Sequence, residues 1–367
     1  MASNIRDNVI TRALSRMSLR CMDFFNCEQD QDDSETAFCE RLDKPIIVTN
    51  RIHVVTWNVN GKAPPDDMDS LFIMDEHPLP EIYAIGLQEV SGESWETAFI
   101  ILFHRHNFVR IKMRKLQGIH TFLFVHRSVL PFVSNVESEV TRTGFGGYWG
   151  NKGASTVRMD FKGVNIAVVN CHLAAHRDED VDTILESQRF KDVDSDNILD
   201  HDYVLWMGDM NFRLDNVSRE DAIEQIEAKQ FHNLLEHDQL KLVKMEKLLF
   251  DGFHEPPINF PPTYKFDIGS NEYDTSEKQR VPAYTDRILY LYHDTAYGAL
   301  KLDVDCLSYR SHPSYMISDH RPVTATIAIS VPEKPIHGPI TFDIQVGRRS
   351  REMARKFRYK IRKDFVT

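Results

Sequence analysis

The sequence predicts an α/β protein in which two sheets pack face to face with helices outside. Three observations lead there. Eight short runs rich in β-branched and aromatic residues read as strands, against four segments with helical periodicity. Several of these runs are neighbours joined by tight turns such as Phe161-Lys-Gly163, which favours hairpins and antiparallel pairing over a strict βαβ order. Polar clusters stand at the ends or starts of the apolar runs, where a packed sheet presents side chains along one rim.

The first strand is Ile52-His-Val-Val-Thr-Trp57, by its β-branched content. Ile82-Tyr-Ala-Ile-Gly-Leu87, Ile119-His-Thr-Phe-Leu-Phe-Val125 and Ala154-Ser-Thr-Val-Arg-Met159 follow on the same ground. Val164–Val169, Tyr203–Met207, Arg287–Tyr292 and Val323–Ile329 complete the set. Helical spacing is found over Ser94–His104, Thr183–Val193, Arg219–Lys229 and Gln239–Leu248. One rim needs both sheets, so residues 51–330 are expected to form one domain. Residues 1–50 are an extension whose acidic stretch Glu28–Glu35 is solvated.

The chain has 367 residues, and its 42% hydrophobic content supports a sizeable core. Its formal net charge is -11, so handling a phosphate requires a cation or local basic groups. Five cysteines (Cys21, Cys27, Cys39, Cys171, Cys306) show no metal spacing and are odd in number, which fits a reducing, cytoplasmic setting. No apolar run approaches the ~20 residues of a membrane span. Arg6, Arg12, Arg16 and Arg20 resemble a weak transit peptide, but no cleavage signal accompanies them, and a flexible or helical extension is the better reading. From Arg348 to Lys363, within the extension 331–367, nine basic residues face one acid, Glu352. Such a tail either meets an anionic membrane, at about 1 kcal/mol per basic residue, or is simply solvated or partner-binding.

The chemistry sits in the strand-end clusters. Asp209 and Asn211 lie in Trp206-Met-Gly-Asp-Met-Asn-Phe-Arg213, two apart, so an extended segment points both the same way. The Asp can orient or deprotonate a water and the Asn can hold the water or a phosphoryl oxygen; an Asx turn closing a strand is the plainer alternative. Glu89, in Gly86-Leu-Gln-Glu-Val90, is a hard oxygen ligand suited to Mg²⁺, and Asn58, in Trp57-Asn-Val-Asn-Gly61, offers an amide oxygen. His320, with Asp319 in Ser318-Asp-His-Arg-Pro322, can carry positive charge toward phosphoryl oxygens, given a carboxylate such as Asp286 to hold it. His172, in Asn170-Cys-His-Leu173, is a second donor. Lys152 lies in the glycine-rich Gly146–Gly153, and with Tyr264, Lys265, Lys278, Arg280 and Arg287 it makes a basic wall for further phosphates. Together these groups suit metal-assisted attack of water on phosphorus.

Two other motifs are rejected. Cys171 to Arg177 has the Cys-x5-Arg spacing of cysteine phosphatases, but the intervening residues contain no glycine to build a nest of amides. His172 and His176 are four apart, yet no Glu follows the first, and the segment ends a strand, so zinc is not expected.

At this point the sequence resembles the inositol polyphosphate 5-phosphatases, within the Mg²⁺-dependent endonuclease/exonuclease/phosphatase group. The carrying segments are Trp57–Lys62, Gly86–Glu89, Gly147–Gly153, Asn170–Leu173, Trp206–Arg213, Phe260–Lys265, Arg280–Arg287 and Ser318–Pro322. Asn197–Asp202 and Asn271–Glu277 look most like the skeletal-muscle and kidney enriched subgroup. The resemblance implies a four-layer α/β/β/α sandwich of two mostly antiparallel sheets flanked by helices. It implies removal of the 5-phosphate from phosphoinositides such as PI(4,5)P2 and PI(3,4,5)P3, and from soluble inositol polyphosphates. It assigns Glu89 and Asn58 to Mg²⁺, Asp209 to the water, and His172 and His320 to the scissile phosphate. Asn151, Lys152, Tyr264, Lys265 and Lys278 fall to the other ring phosphates. The sequence departs from the family pattern at Tyr284 (Trp is commoner), Ala154 (Gly) and Arg321 (Lys), none of them a catalytic group. The expectation is a monomeric, cytoplasmic enzyme, peripheral at membranes, acting on phosphoinositide lipids and not on nucleic acid. A nuclease of the same fold and a non-catalytic phosphoinositide-binding adaptor are the alternatives.

Overall fold

A computed structural model describes residues 46–333, apart from 145–146, 175–176, 193–194 and 295–300. The expectations for the arginines of residues 6–20, the acidic stretch 28–35, His176 and the basic tail lie outside the described residues.

Among the described residues, eleven strands form two sheets. The first sheet has the order β10-β11-β1-β2-β4-β3. It is built from β1 (Ile47–Asn58), β2 (Ile82–Gln88), β3 (Phe108–Leu116), β4 (Ile119–His126), β10 (Val304–Ser311) and β11 (Val323–Pro332). The second has the order β5-β6-β7-β8-β9. Its strands are β5 (Val133–Gly144), β6 (Trp149–Phe161), β7 (Val164–His172), β8 (Tyr203–Asp209) and β9 (Asp286–Tyr292). Each sheet is antiparallel except for one parallel pair, β1 with β2 and β7 with β8. β1 begins ahead of the boundary expected at residue 51, and β11 runs past 330.

Side-chain alternation explains the layering. On β1, Ile52 and Val54 enter a core shared with the second sheet, whereas Val55 and Trp57 face outward. On β8, Leu205 and Met207 point inward, and Val204 and Trp206 outward. The outer face of the first sheet is covered by α1 (Ser94–Arg105), through Trp95, Phe99 and Phe103. That of the second sheet is covered by α2 (Arg177–Ser187), through Val181 and Ile184, and by Leu240 of α5 (Gln239–Met245). Both sheets are therefore buried on both faces, and the arrangement is the expected α/β/β/α sandwich. Two further short helices, α3 (Arg219–Glu227) and α4 (Phe231–Leu235), precede α5. The helix expected over 183–193 instead occupies Arg177–Ser187, with Asp178, Glu179 and Asp180 against the positive end of its dipole.

Because β1 runs parallel to β2, and β7 to β8, all four strands of these pairs finish at the site. Asn58 is level with Gln88, and His172 with Asp209. Gly208 permits close approach there: its φ is +149°, and a Cβ would drive into the backbone of Cys171 on the neighbouring strand.

Candidate active site

Six strand termini and loops bring the expected groups together. Asn58 ends β1, His172 ends β7, Asp209 ends β8 and Asp286 opens β9. In the register of the second sheet His172, Asp209 and Asp286 are side by side on adjacent strands. Glu89 follows β2 with φ of +57°, a left-handed conformation uncommon for a non-glycine residue and a frequent mark of functional positions. His320 lies just ahead of β11, held to the end of β1 by two bonds. Trp57 Nε1 donates to the His320 carbonyl at 3.1 Å, and Ser318 Oγ to the Asn58 carbonyl at 2.7 Å.

Asp209 is the centre. Its Oδ2 accepts from Asn58 Nδ2 at 3.0 Å, lies 3.3 Å from His172 Nε2, and lies 3.9 Å from His320 Nε2. Burial works to raise its pKa, but His172, His320 and the Lys152 ammonium hold this carboxyl well below the usual range. His320 is its opposite. Burial disfavours its charge, but Asp286 outweighs that, and with Asp209 and Asp319 it lifts the imidazole to about 9. The geometry agrees: His320 Nδ1 is 3.0 Å from Asp286 Oδ2, and that oxygen is fixed by the hydroxyls of Thr263 (2.7 Å) and Thr285 (2.9 Å). At neutral pH the site thus holds a buried aspartate and a buried imidazolium facing each other.

Glu89 has a half-exposed side chain and accepts from Asn58 Nδ2 at 3.0 Å. Asp319 accepts from Asn60 Nδ2 at 3.0 Å, so it buttresses the turn after β1. The oxygens of Glu89 and Asp209 converge on one Asn58 amide. A small hard cation takes a few such oxygens and keeps its waters, so this donor set fits one. Asp209, Asp286 and His320 also offer atoms within 4.8 Å of one another. Within that trio His320 Nδ1 is engaged with Asp286 at 3.0 Å, so the two form a hydrogen-bonded pair beside Asp209.

The basic groups separate into two kinds. Lys152 Nζ contacts His172 Nε2; burial lowers its pKa, opposed by Asp209 and Glu89. The Tyr264 ring packs at 4.4 Å on the His320 ring and carries the Arg213 guanidinium 4.5 Å above its centre. Lys265 is 3.6 Å from Asp274, while Asn151, Lys278 and Arg280 are exposed on the surrounding segments.

Arg287 is a correction. It was expected to face substrate, but its side chain is 2% exposed and spans Asp238 (2.8 Å) and Glu255 (2.7 Å) in a buried network. A buried guanidinium clamped between two internal carboxylates does not reach an external anion. Asn58 presents its amide nitrogen to both acids while its Oδ1 accepts from Asn60 N at 3.0 Å, and so aligns Glu89 and Asp209. Asn211 is a second correction. The strand ends at Asp209, Asn211 turns to φ +59°, and its backbone N–H donates to Asp209 Oδ1 at 3.1 Å. Its Nδ2 donates to the Leu173 carbonyl at 3.0 Å, so the Asx turn itself orients the aspartate.

Arg213, Thr263, Thr285 and Asn60 were missed as site residues. The Asn-x-Asn spacing of Asn58 and Asn60, repeating that of Asp209 and Asn211, was the available signal for the last. Cys171 is inert: it is buried, burial pushes its thiol pKa up, and Trp206 Nε1 donates to its sulfur at 3.3 Å.

The chain and its fold match known proteins. Residues 55–326 match the model of Endonuclease/Exonuclease/phosphatase family 2. The crystal structure of the inositol polyphosphate 5-phosphatase domain of SPsynaptojanin, bound to inositol (1,4)-bisphosphate and a calcium ion, superposes with a TM-score of 0.73. It has 31% identity and covers 89% of this chain and 97% of that one. The chain belongs to the inositol polyphosphate 5-phosphatase family. Phosphatidylinositol 4,5-bisphosphate 5-phosphatase A of Homo sapiens is 41% identical over 303 residues, 75% of this chain but only 30% of that protein. Inositol polyphosphate 5-phosphatase K of Mus musculus is 39% identical over 312 residues, 76% of this chain and 66% of that protein. Two differently named relatives at near-equal identity leave the subgroup open. A Cimex nitrophorin, 23% identical with a TM-score of 0.64, shares the fold alone.

Proposed function

We propose that the chain hydrolyses the 5-phosphate of phosphoinositides, PI(4,5)P2 and PI(3,4,5)P3 among them, and of soluble inositol polyphosphates. The reaction is in-line attack of water, without a covalent intermediate, and depends on Mg²⁺. The observation that carries this reading is the ionised Asp209 set against the imidazolium of His320. Asp209 is the carboxylate placed to orient a water and take its proton. His320, paired with Asp286 at 3.0 Å, is placed to donate to phosphoryl oxygen. His172 and Lys152 add donors on the other side of Asp209.

Glu89 and Asp209 would hold the divalent cation, and bound there it would neutralise charge on the phosphoryl group. Tyr264, Lys265, Lys278 and Arg280, with Asn151 and Lys152, serve the remaining phosphates. This reading places a monomer in the cytoplasm, peripheral at membranes, where the lipid substrates lie. The related proteins are named for such activities on phosphatidylinositol 4,5-bisphosphate and inositol polyphosphates, which supports the substrate class.

The test is phosphate release from a panel of phosphoinositides and inositol phosphates with Mg²⁺ or EDTA, beside plain and abasic DNA. Release from 5-phosphorylated inositols that EDTA abolishes, with DNA intact, is expected. Nicking of DNA would favour the nuclease alternative. Vesicle binding without phosphate release would favour the adaptor.

A further inference from the structure

Directly beneath the site, the space between the sheets is filled by amides and hydroxyls in place of carbon. The inward series on β1 is Val54, Thr56, Asn58, and on β7 it is Val168, Asn170, His172, so each strand passes from apolar through a polar step to the rim. Asn170 is fully buried and spends its amide on the opposite sheet. Its Nδ2 donates to the Leu87 carbonyl of β2 at 3.1 Å and the His120 carbonyl of β4 at 3.0 Å. Its Oδ1 accepts from Gln88 Nε2 at 2.6 Å, and that same nitrogen reaches Thr56 Oγ1 at 3.1 Å. The fold makes room for this: a Cβ at Gly86 would lie 2.7 Å from both Cγ and Oδ1 of Asn170.

A buried amide is costly unless fully bonded, and an apolar side chain would fill the space at no such risk. What the amide adds is direction. Asn170 stands two residues before His172, Gln88 one before Glu89, and Thr56 two before Asn58. We infer that Asn170 is a positioning residue: it locks the two sheet edges at one separation, so that Glu89 and Asn58 from one sheet meet Asp209 and His172 from the other. The inference rests on the hydrolytic reading above.

The test uses the full chain carrying Asn170→Ala or the milder Thr56→Val. Asn50→Ala is the control; it removes the inter-sheet bond from Lys162 Nζ to Asn50 Oδ1 (3.0 Å) at the far end of the sheets. Turnover of a soluble inositol trisphosphate and calorimetric titration with Mg²⁺ alone are measured below the unfolding temperature. A misplacement of about 1 Å costs roughly 10²-fold, so Asn170→Ala is expected to lower kcat by that much with KM unchanged. Its Mg²⁺ affinity should fall about 10-fold, the usual loss when a group supporting a ligand is removed. Thr56→Val moves both in the same direction by less, and Asn50→Ala moves neither despite a comparable loss of thermal midpoint. Wild-type kcat and Mg²⁺ affinity in both rim variants would overturn the inference, as would equal losses in Asn50→Ala. If Asn170→Ala does not fold, Thr56→Val decides. If the wild type releases no phosphate, the hydrolytic reading fails, and the Mg²⁺ titrations still decide this one.

Discussion

Asn in place of Asp209 lowers phosphate release by roughly 10²–10⁴-fold, the span expected when positioned acid–base help is lost. The substitution is isosteric and leaves the Asx turn room to form. What it removes is the negative charge that His172, His320 and Lys152 share. The thermal midpoint is expected to fall, because buried positive charge at His320 and Lys152 loses a counter-charge, so rates are compared well below it. Steady-state rates at matched Mg²⁺, with circular dichroism as the folding control, make the comparison. Near-normal turnover in folded Asp209→Asn would leave the mechanism without its base.

Removing Arg287 produces the largest loss of stability. Its Nη1 donates to both oxygens of Asp238 at 2.8 and 2.9 Å, while Nε and Nη2 donate to the two oxygens of Glu255 at 2.7 Å each. Arg287→Ala strands two acids in the interior, and breaking a buried pair from one side costs about 3–5 kcal/mol. Denaturant unfolding is the measurement. If Arg287 instead bound substrate, the variant would keep its stability and show a raised KM.

The misreading of Arg287 shows where sequence reasoning ran out. Its partners lie 49 and 32 residues away along the chain, so nothing nearby distinguishes a buried bridge from an anion ligand. The orientation of the Asn58 amide is equally invisible, since it depends on Asp209 and Glu89 arriving from two other strands. The strands divide on the same principle. All eight runs read as strands are strands, and three were missed: β3, β5 and β10, each at a sheet edge. Half-exposed edges tolerate charge, and these carry Arg110, Lys112 and Arg114, Glu137 and Glu139, and Asp305 and Arg310. The residues of the rim were legible because their strands are buried on both faces, and a polar group at the end of such a strand stands out.

The pH dependence of Mg²⁺-supported phosphate release tests the pairing of Asp209 with a charged His320 most directly. The folded pKa of His320 is raised, so the imidazolium is present below about pH 9 and is lost as pH rises through that value. In Asp286→Asn the strongest charge holding the proton is gone, only Asp209 and Asp319 still oppose burial, and the imidazole falls from about 9 toward its ordinary ~6.5. The account predicts a wild-type rate that declines through about pH 9 and an Asp286→Asn rate whose decline moves toward neutral pH. A wild-type rate unchanged through that range, or a decline that stays in place when Asp286 is neutralised, would contradict it.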